Sequence, residues 1–352
     1  MTGRALHHGP DIAMHPPDIA MTPATPRLHA RTGLSVTALG LGCAQMGGLY
    51  RPTSLAEAAG AFRAAWEHGI RYYDTAPFYG FTRSERRLGI LLTEEPRGDY
   101  VVSTKVGRVM VPDPSVGPME EGYADPLPFR PAFDYSHDGV LRSFEASRQR
   151  LGVLNPDILY VHDIGRFTHG ERHAHHWEQL TTGGGFRALT RLREEGAVRA
   201  IGLGVNEWEV IAEAIRAADL DLCMLAGRYT LLEQDSLGLM DECARRGIGI
   251  AVAGAFNSGL LAGKATFNYA EAPPVIAARA QALRAACAEE GVPLEAAALQ
   301  FPLRHPAALT LVTGARNAAQ VEANAAWFAA PIPDGFWARL KARGLLAEAA
   351  PA

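Results

Sequence analysis

Short apolar stretches recur along most of the chain, and a longer amphipathic stretch follows nearly every one of them. The apolar stretches carry hydrophobic, often β-branched residues at consecutive positions, as parallel strands buried on both faces require. The pattern predicts eight strands, at residues 38–42, 71–74, 101–106, 158–162, 200–205, 222–225, 249–253 and 309–313.

The amphipathic stretches predict helices that pack one apolar face against a sheet. In the first of them, Ser54 and Glu57 have the spacing of a capping box, Phe62 and Trp66 lie on one stripe, and Gly69 ends the helix. Further helices are predicted at residues 138–151, 186–195, 208–217, 236–245, 277–290, 294–304, 318–328 and 336–348.

Eight strands alternating with helices predict an α/β fold, the closed (β/α)8 TIM barrel, with its active site at the C-terminal face of the strands. A doubly wound sheet is the alternative, but its GxGxxG phosphate turn is missing. The two candidate turns, at 40–42 and 202–204, both lack the third glycine. We therefore expect the barrel, and a nucleotide held without that turn.

The barrel is expected to be a single domain that spans residues 27–352, preceded by a tail at residues 1–26. The tail carries five prolines and shows neither helical nor strand periodicity, which predicts disorder. It lacks the basic start and apolar core of a secretory signal. We therefore expect it to be dispensable.

Composition narrows the class of function. With 34 Lys and Arg against 38 Asp and Glu, the net charge is −4, which favours neither a nucleic acid nor an anionic membrane as partner. No apolar run is long enough to span a bilayer. The four cysteines are far apart and form no CxxC pair, so we expect reduced thiols in the cytoplasm. A homo-oligomer is possible.

Three successive strands are predicted to end in ionisable residues. Asp74 ends the second, Lys105 lies near the end of the third, and His162 ends the fourth, while Tyr79 follows in the loop after Asp74. Each residue alone has a structural explanation, such as a capped turn or a buried ion pair. Because the barrel brings strand ends together, the four favour an active site jointly.

Two long segments, 109–135 and 163–185, are expected to be lids or binding loops. The second holds His169, His173 and two further histidines, which raises the possibility of a metal site. Metal-dependent barrel hydrolases place an HxH pair on a strand, and none of the eight strands has one. We therefore expect no metal.

Short motifs with a recurring order and spacing lie along the chain. They are Tyr73-Asp74-Thr75-Ala76-Pro77-Phe78-Tyr79-Gly80, Ser84-Glu85, Leu88-Gly89, Ser103-Thr104-Lys105-Val106, Leu151-Gly152, Asp157-Ile158-Leu159-Tyr160-Val161-His162, Gly202-Leu203-Gly204-Val205-Asn206 and Gly314-Ala315-Arg316-Asn317. In these motifs the chain resembles the aldo-keto reductase superfamily, and the resemblance covers nearly all of residues 27–328. Three further stretches are Phe133-Asp134-Tyr135-Ser136, His162-Asp163-Ile164-Gly165-Arg166 and Asn206-Glu207-Trp208. In these the chain is similar to the D-threo-aldose 1-dehydrogenase (L-fucose dehydrogenase) subgroup.

The resemblance implies a catalytic role for all four candidates. Tyr79 would be the general acid/base, Lys105 and Asp74 its electrostatic support, and His162 the hydrogen-bond partner of the reacting oxygen. A free phenol has a pKa near 10, so it is a poor base at neutral pH, and a neighbouring ammonium favours its phenolate form.

The resemblance also implies a nicotinamide nucleotide. Gln320 stands where relatives that bind the 2'-phosphate carry arginine, so we predict NAD, although Arg316 is close enough in sequence to hold NADP. The residues expected to bind the cofactor are Asn206, Phe256, Asn257, Gly259, Leu260, Gly314, Arg316, Gln320 and Asn324.

The expected reaction is oxidation of an aldose of the L-fucose, D-arabinose or L-galactose type at C1 to its lactone. Tyr123, Arg166, His169 and Trp177 are expected to bind the sugar. Pyridoxal oxidation and general aldehyde reduction are the alternatives within the same fold. A nucleotide-binding regulatory subunit without catalysis is a further alternative, which the complete set of four residues disfavours.

Overall fold

The computed structural model describes residues 21–268 and 270–351, and its eight parallel strands close a barrel in chain order. Each strand lies within one residue of its predicted bounds, which confirms the TIM-barrel prediction. The strands are β1 (Leu39–Gly42), β2 (Tyr72–Asp74), β3 (Val101–Val106), β4 (Ile158–His162), β5 (Ala200–Val205), β6 (Leu222–Ala226), β7 (Gly249–Ala253) and β8 (Ala308–Gly314).

Twelve α-helices lie in the described part of the chain, more than the sequence pattern predicted. They are α1 (Leu55–Glu67), α2 (Arg83–Leu92), α3 (His137–Leu151), α4 (Arg166–His169), α5 (His173–Leu180), α6 (Gly185–Glu194), α7 (Trp208–Ala217), α8 (Leu237–Arg246), α9 (Pro274–Glu289), α10 (Leu294–Gln300), α11 (Ala318–Phe328) and α12 (Phe336–Ala342). Short 3-10 turns lie at Ala44–Gly47, Arg97–Asp99, Gly170–Arg172, Asn257–Ala262 and Phe301–Arg304.

Some of the helix predictions differ from the structure, and the predicted helix 294–304 is α-helical only to Gln300. Helix α2 was not predicted, and the segment 163–185, expected to be a loop, contains α4 and α5. The last predicted helix, 336–348, ends at Ala342. The capping box of α1 is confirmed, because the Ser54 hydroxyl accepts from the Glu57 N–H and the Glu57 carboxylate accepts from the Ser54 N–H.

An antiparallel hairpin, Pro26–His29 with Leu34–Thr37, precedes the barrel. Its Leu34 and Val36 belong to the same apolar cluster as Tyr72 and Tyr160 of the barrel strands. The chain is attached to the barrel before the hairpin, because the carbonyls of Pro23 and Thr25 accept hydrogen bonds from Leu39 and Ala38. Of the predicted tail, residues 1–20 lie outside the described residues.

The segment 109–135, expected to be a lid or binding loop, forms two antiparallel ribbons. Arg108–Pro112 pairs with Phe129–Phe133, and Met119–Glu120 pairs with Tyr123–Ala124. We call residues 108–133 the lid hairpin. Arg130 bridges Asp113 and Glu120 across it, at 2.8 and 3.1 Å. Another short pair joins Thr266–Phe267 to Ala270–Glu271.

The main core lies between the barrel and its surrounding helices. It contains mostly aliphatic and alanine side chains, as tight helix-on-sheet packing requires. All four cysteines, Cys43, Cys223, Cys243 and Cys287, are free and buried.

Candidate active site

An ion pair is buried where β2 and β3 end. Lys105 Nζ lies 2.7 Å from Asp74 Oδ2 and donates to the Thr75 carbonyl at 3.0 Å. The other carboxylate oxygen of Asp74 accepts from the Ser103 hydroxyl at 2.7 Å. Both charged side chains are 2–3% exposed, so their mutual neutralisation and these extra hydrogen bonds offset the cost of burial.

Tyr79 lies above this ion pair and is half-buried. Lys105 Nζ is 4.7 Å from the centroid of the phenol ring. The imidazole of His162 meets the same ring edge to face, at 5.8 Å between centroids and 84° between planes. The predicted four residues are therefore together at the C-terminal end of the barrel.

Close packing fixes the loop that carries Tyr79. Gly80 has a φ of 64°, and a Cβ there would lie 2.2 Å from the carbonyl oxygen of Gly47, so only glycine fits. The Ser84 hydroxyl, at the start of α2, donates to the Cys43 carbonyl at 2.7 Å and lies 2.8 Å from the Thr75 hydroxyl. The phenol is thus held on a rigid turn.

His162 is buried, 5% exposed, at the end of β4. Burial, with the nearby cations of Arg108 and Lys105, lowers its pKa well below the ordinary value. Its Nε2 lies 3.4 Å from the carboxylate of Asp163, which pairs with Arg108 at 2.6 Å. Its Nδ1 has no partner among the described residues. A neutral imidazole carries one N–H donor, so His162 is suited to donate rather than to carry charge.

An aromatic wall adjoins the phenol. The ring of Tyr123, from the lid hairpin, lies 6.3 Å from Tyr79 and meets Phe78 edge to face at 5.4 Å. The guanidinium of Arg108 covers Phe78 at 4.0 Å. These contacts form a surface suited to a flat ring.

A cleft of about 670 Å³ runs from Asp74 and Tyr79 across the ends of β7 and β8. Of the residues predicted to bind the cofactor, Leu260 alone does not line it, because its side chain is buried in the core. The predicted residues that line the cleft are Asn206, Phe256, Asn257, Gly259, Gly314, Arg316, Gln320 and Asn324.

Sequence reasoning missed other polar residues of the cleft. Those in the loops after β1 and β7 include Gln45, Tyr50, Ser258, Lys264 and Asn268. The rarity of lysine could have indicated Lys264, because the chain has only three lysines.

Arg316, considered above as a residue that could hold NADP, directs its guanidinium at other parts of the protein. Its Nη2 donates to the Leu49 carbonyl at 2.6 Å, and its Nη1 donates to the Arg51 carbonyl at 2.9 Å and to the Thr53 hydroxyl. Its backbone N–H donates to the Gln320 side chain at 2.8 Å. The guanidinium thus binds the protein backbone.

None of the four expected sugar-binding residues is among those that line the cleft. Tyr123 lies beside Tyr79, but Arg166 is exposed and pairs with Glu213 at 3.0 Å. His169 is buried and lies 2.9 Å from the Tyr135 hydroxyl, and Trp177 packs edge to face on Phe186. They point elsewhere because residues 166–180 fold into helices that pack their rings on each other and on the core.

Two buried acceptors of the cleft indicate the chemistry of its ligand. Gln45 Oε1 and Asn257 Oδ1 have no hydrogen-bond partner in the described structure. Lys264 adds an exposed cation at the rim. Amide acceptors and a cation fit a ligand that carries N–H or O–H donors and phosphates, as a nicotinamide dinucleotide does.

Neither a metal site nor a membrane span is found within residues 21–268 and 270–351. No group of three or more His, Cys, Asp and Glu side chains there is arranged to hold a metal ion. No helix there has the length and apolar character needed to cross a membrane.

The chain is similar to known proteins over most of its length. Residues 38–343 match the Aldo/keto reductase family. The chain is 50% identical to Pyridoxal 4-dehydrogenase from Microbacterium luteolum, over 91% of this chain and 97% of that protein. It is 41% identical to D-threo-aldose 1-dehydrogenase from a Pseudomonas species, over 88% and 95%. The holo form of an aldo-keto reductase from Bacillus halodurans has the same fold, with a TM-score of 0.70 at 23% identity, over 93% and 97%.

Proposed function

The chain belongs to the aldo/keto reductase family, and we propose that it oxidises a cyclic hemiacetal to a lactone with NAD as the electron acceptor. The observation that carries the proposal is the phenol of Tyr79, held between the Lys105 ammonium and the His162 imidazole at the inner end of the cleft.

The proton transfer is assigned to Tyr79. A hemiacetal hydroxyl that donates to the phenolate loses its proton there, and the Lys105 ammonium favours that phenolate. Asp74 neutralises the buried ammonium and fixes its position at 2.7 Å. His162, as a neutral donor, orients the reacting oxygen.

The cleft residues would hold the dinucleotide. Asn206, Asn257 and Gln45 would bond its polar groups, and Lys264 would bind its phosphates. When bound, the nicotinamide supplies hydride acceptance from the hemiacetal carbon.

Pyridoxal is the first proposed substrate. Its aldehyde and neighbouring hydroxymethyl group close into a hemiacetal fused to a flat aromatic ring. The wall of Phe78, Tyr79 and Tyr123 suits that ring, and the relative that is 50% identical is named for this substrate.

An aldopyranose is the second candidate, because polar groups also adjoin His162. Asp163 is 15% exposed in its side chain, and its Oδ1 lies 3.5 Å from the Asn206 amide. Such groups would bind sugar hydroxyls, and a relative at 41% identity is a D-threo-aldose 1-dehydrogenase.

The test is a set of initial rates with NAD, followed at 340 nm, on pyridoxal, L-fucose, D-arabinose, L-galactose and D-glucose. We expect pyridoxal to have the highest kcat/KM, with lactone as the product. A preference for a sugar would select the second candidate. Activity confined to the reduction of simple aldehydes with NADPH would contradict both.

A further inference from the structure

Arg316 lies at the cofactor cleft but directs its donors at a neighbouring segment of backbone, residues 48–53. Three of its hydrogen bonds end there, on the carbonyls of Leu49 and Arg51 and on the hydroxyl of Thr53. The Arg316 side chain is buried, 6% exposed as a residue, so these bonds are made away from competing water.

The same segment carries the tip of the lid hairpin. The Tyr50 N–H donates to the Gly122 carbonyl at 2.7 Å, and the Ala124 N–H donates to the Gly48 carbonyl at 3.0 Å. Leu49 and Tyr123 form an isolated antiparallel bridge between these bonds. Residues 48–50 therefore act as an additional strand for the lid hairpin.

This pairing determines where Tyr123 lies. Tyr123 is 2% exposed as a residue, and its ring packs against Phe78 and Tyr79 at centroid distances of 5.4 and 6.3 Å. The segment that Arg316 binds also contributes Leu49 and Tyr50 to the cleft. One side chain thus connects the cofactor cleft to the aromatic wall beside the phenol.

We propose that Arg316 is a positioning residue for the substrate side of the active site, acting through residues 48–53 and the tip of the lid hairpin. A guanidinium can reach several acceptors at once because its N–H groups form a rigid fork. An ammonium has neither that fork nor its planarity.

Hydrogen exchange tests the connection without requiring activity. In the full-length Arg316→Gln variant, we expect exchange at the Tyr50 and Ala124 amides to rise about tenfold or more. The paired strands Arg108–Pro112 and Phe129–Phe133 should keep their protection. Arg51→Ala is the matched control, since it removes an exposed arginine side chain of the same segment and leaves its carbonyl in place.

Steady-state kinetics provide a second test of the positioning role, and this test rests on the proposed function. Arg316→Gln and Arg316→Lys should each lower kcat/KM for the hemiacetal about tenfold, with the ratio of NAD to NADP efficiency unchanged. A phosphate clamp would instead lose NADP selectively and be rescued by lysine.

The outcomes are separable. One outcome is faster exchange in Arg316→Gln while neither the variants nor the unaltered chain oxidises a hemiacetal. That result would refute the proposed function and would support the positioning role. Unchanged exchange at both amides, or a uniform rise throughout the barrel, would overturn the positioning role. If Arg316→Gln does not fold, Arg316→Lys and Thr53→Val carry the same exchange test.

Discussion

Removing the phenol should abolish proton transfer and leave the cleft intact. Tyr79→Phe is expected to lower kcat about 10²- to 10⁴-fold, with Lys105→Met of similar size. The measurement is turnover together with NAD affinity by fluorescence titration. Tyr100→Phe, at the other end of β3, is the control. Near-normal turnover in Tyr79→Phe would remove Tyr79 from the mechanism.

Single residues differed in how much of their role the sequence revealed. Asp74, Lys105 and His162 could be predicted together, because a barrel brings the ends of neighbouring strands to one place. The contacts of Arg316 could not be predicted, because its partners are two backbone carbonyls and a hydroxyl more than 260 positions away, whose direction no residue type encodes. The prediction that Leu260 lines the cleft was wrong for a similar reason, since a local turn points its side chain into the core.

Acid should destabilise the fold through its buried histidines. Burial and the neighbouring His176 lower the pKa of His169 to about 4. In the unfolded chain the pKa of this histidine is about 6.5, so below that pH the unfolded chain binds a proton that the folded chain does not. The stability of the fold therefore falls as pH falls towards 4. This one group accounts for at most about 2 kcal/mol between pH 7 and pH 5.

Urea unfolding at both pH values measures the effect. We expect His169→Gln to show a smaller loss of unfolding free energy on acidification. His175→Gln, which removes an exposed imidazole from the neighbouring helix α5, is the control. An equal loss in all three proteins would contradict the assignment.

Among the elements, the barrel strands were predictable because burial on both faces leaves continuous apolar runs. Helix α2 was missed because its inward face includes Ser84, Glu85 and Gly89, which weaken the apolar stripe. The Glu85 carboxylate accepts hydrogen bonds from Thr104 at 2.6 Å and from Arg150 at 2.5 Å. These partners come close only in the folded chain. The lid hairpin was missed because six prolines made residues 109–135 resemble a loop.

Two helical glycines should respond oppositely to alanine. A Cβ at Gly89 would lie 2.7 Å from the carbonyl oxygens of Arg150 and Leu151, so Gly89→Ala should destabilise the fold by about 1–3 kcal/mol. At Gly60, within α1, the nearest atom lies at 3.8 Å, and Gly60→Ala should stabilise it by about 0.5–1 kcal/mol. Chemical denaturation of both variants measures the contrast. Equal effects would contradict the close contact of α2 with the end of α3.

For the whole molecule, the barrel separates stability from chemistry. The hairpin Pro26–His29 with Leu34–Thr37 packs apolar residues at the N-terminal end, whereas the cleft and the phenol occupy the C-terminal end. Changes to the loops at one end can therefore alter the substrate without endangering the fold. This division also explains why the fold followed from the strand pattern, while the substrate depends on loop contacts.

The residues that line the cleft predict its cofactor preference. Arg316 is the one arginine among the described lining residues, its guanidinium is bound to residues 49–53, and Gln320 is neutral, so kcat/KM should favour NAD over NADP. Gln320→Arg should shift the ratio towards NADP about tenfold. Gln320→Leu, which adds no charge, is the control. A clear NADP preference in the unaltered chain would contradict this prediction.

The four buried cysteines give the chain built-in reporters of its own motions. Burial raises the pKa of the Cys223 thiol to about 12 and that of the Cys287 thiol to about 11, so neither reacts while its surroundings stay closed. Alkylation therefore requires local opening, and its rate reports how often the region around each cysteine opens. Cys43 lies beside the active-site end of β1, whereas Cys243 is in α8, so mass spectrometry of the labelled peptides would map the fluctuations of catalytic and scaffold regions separately.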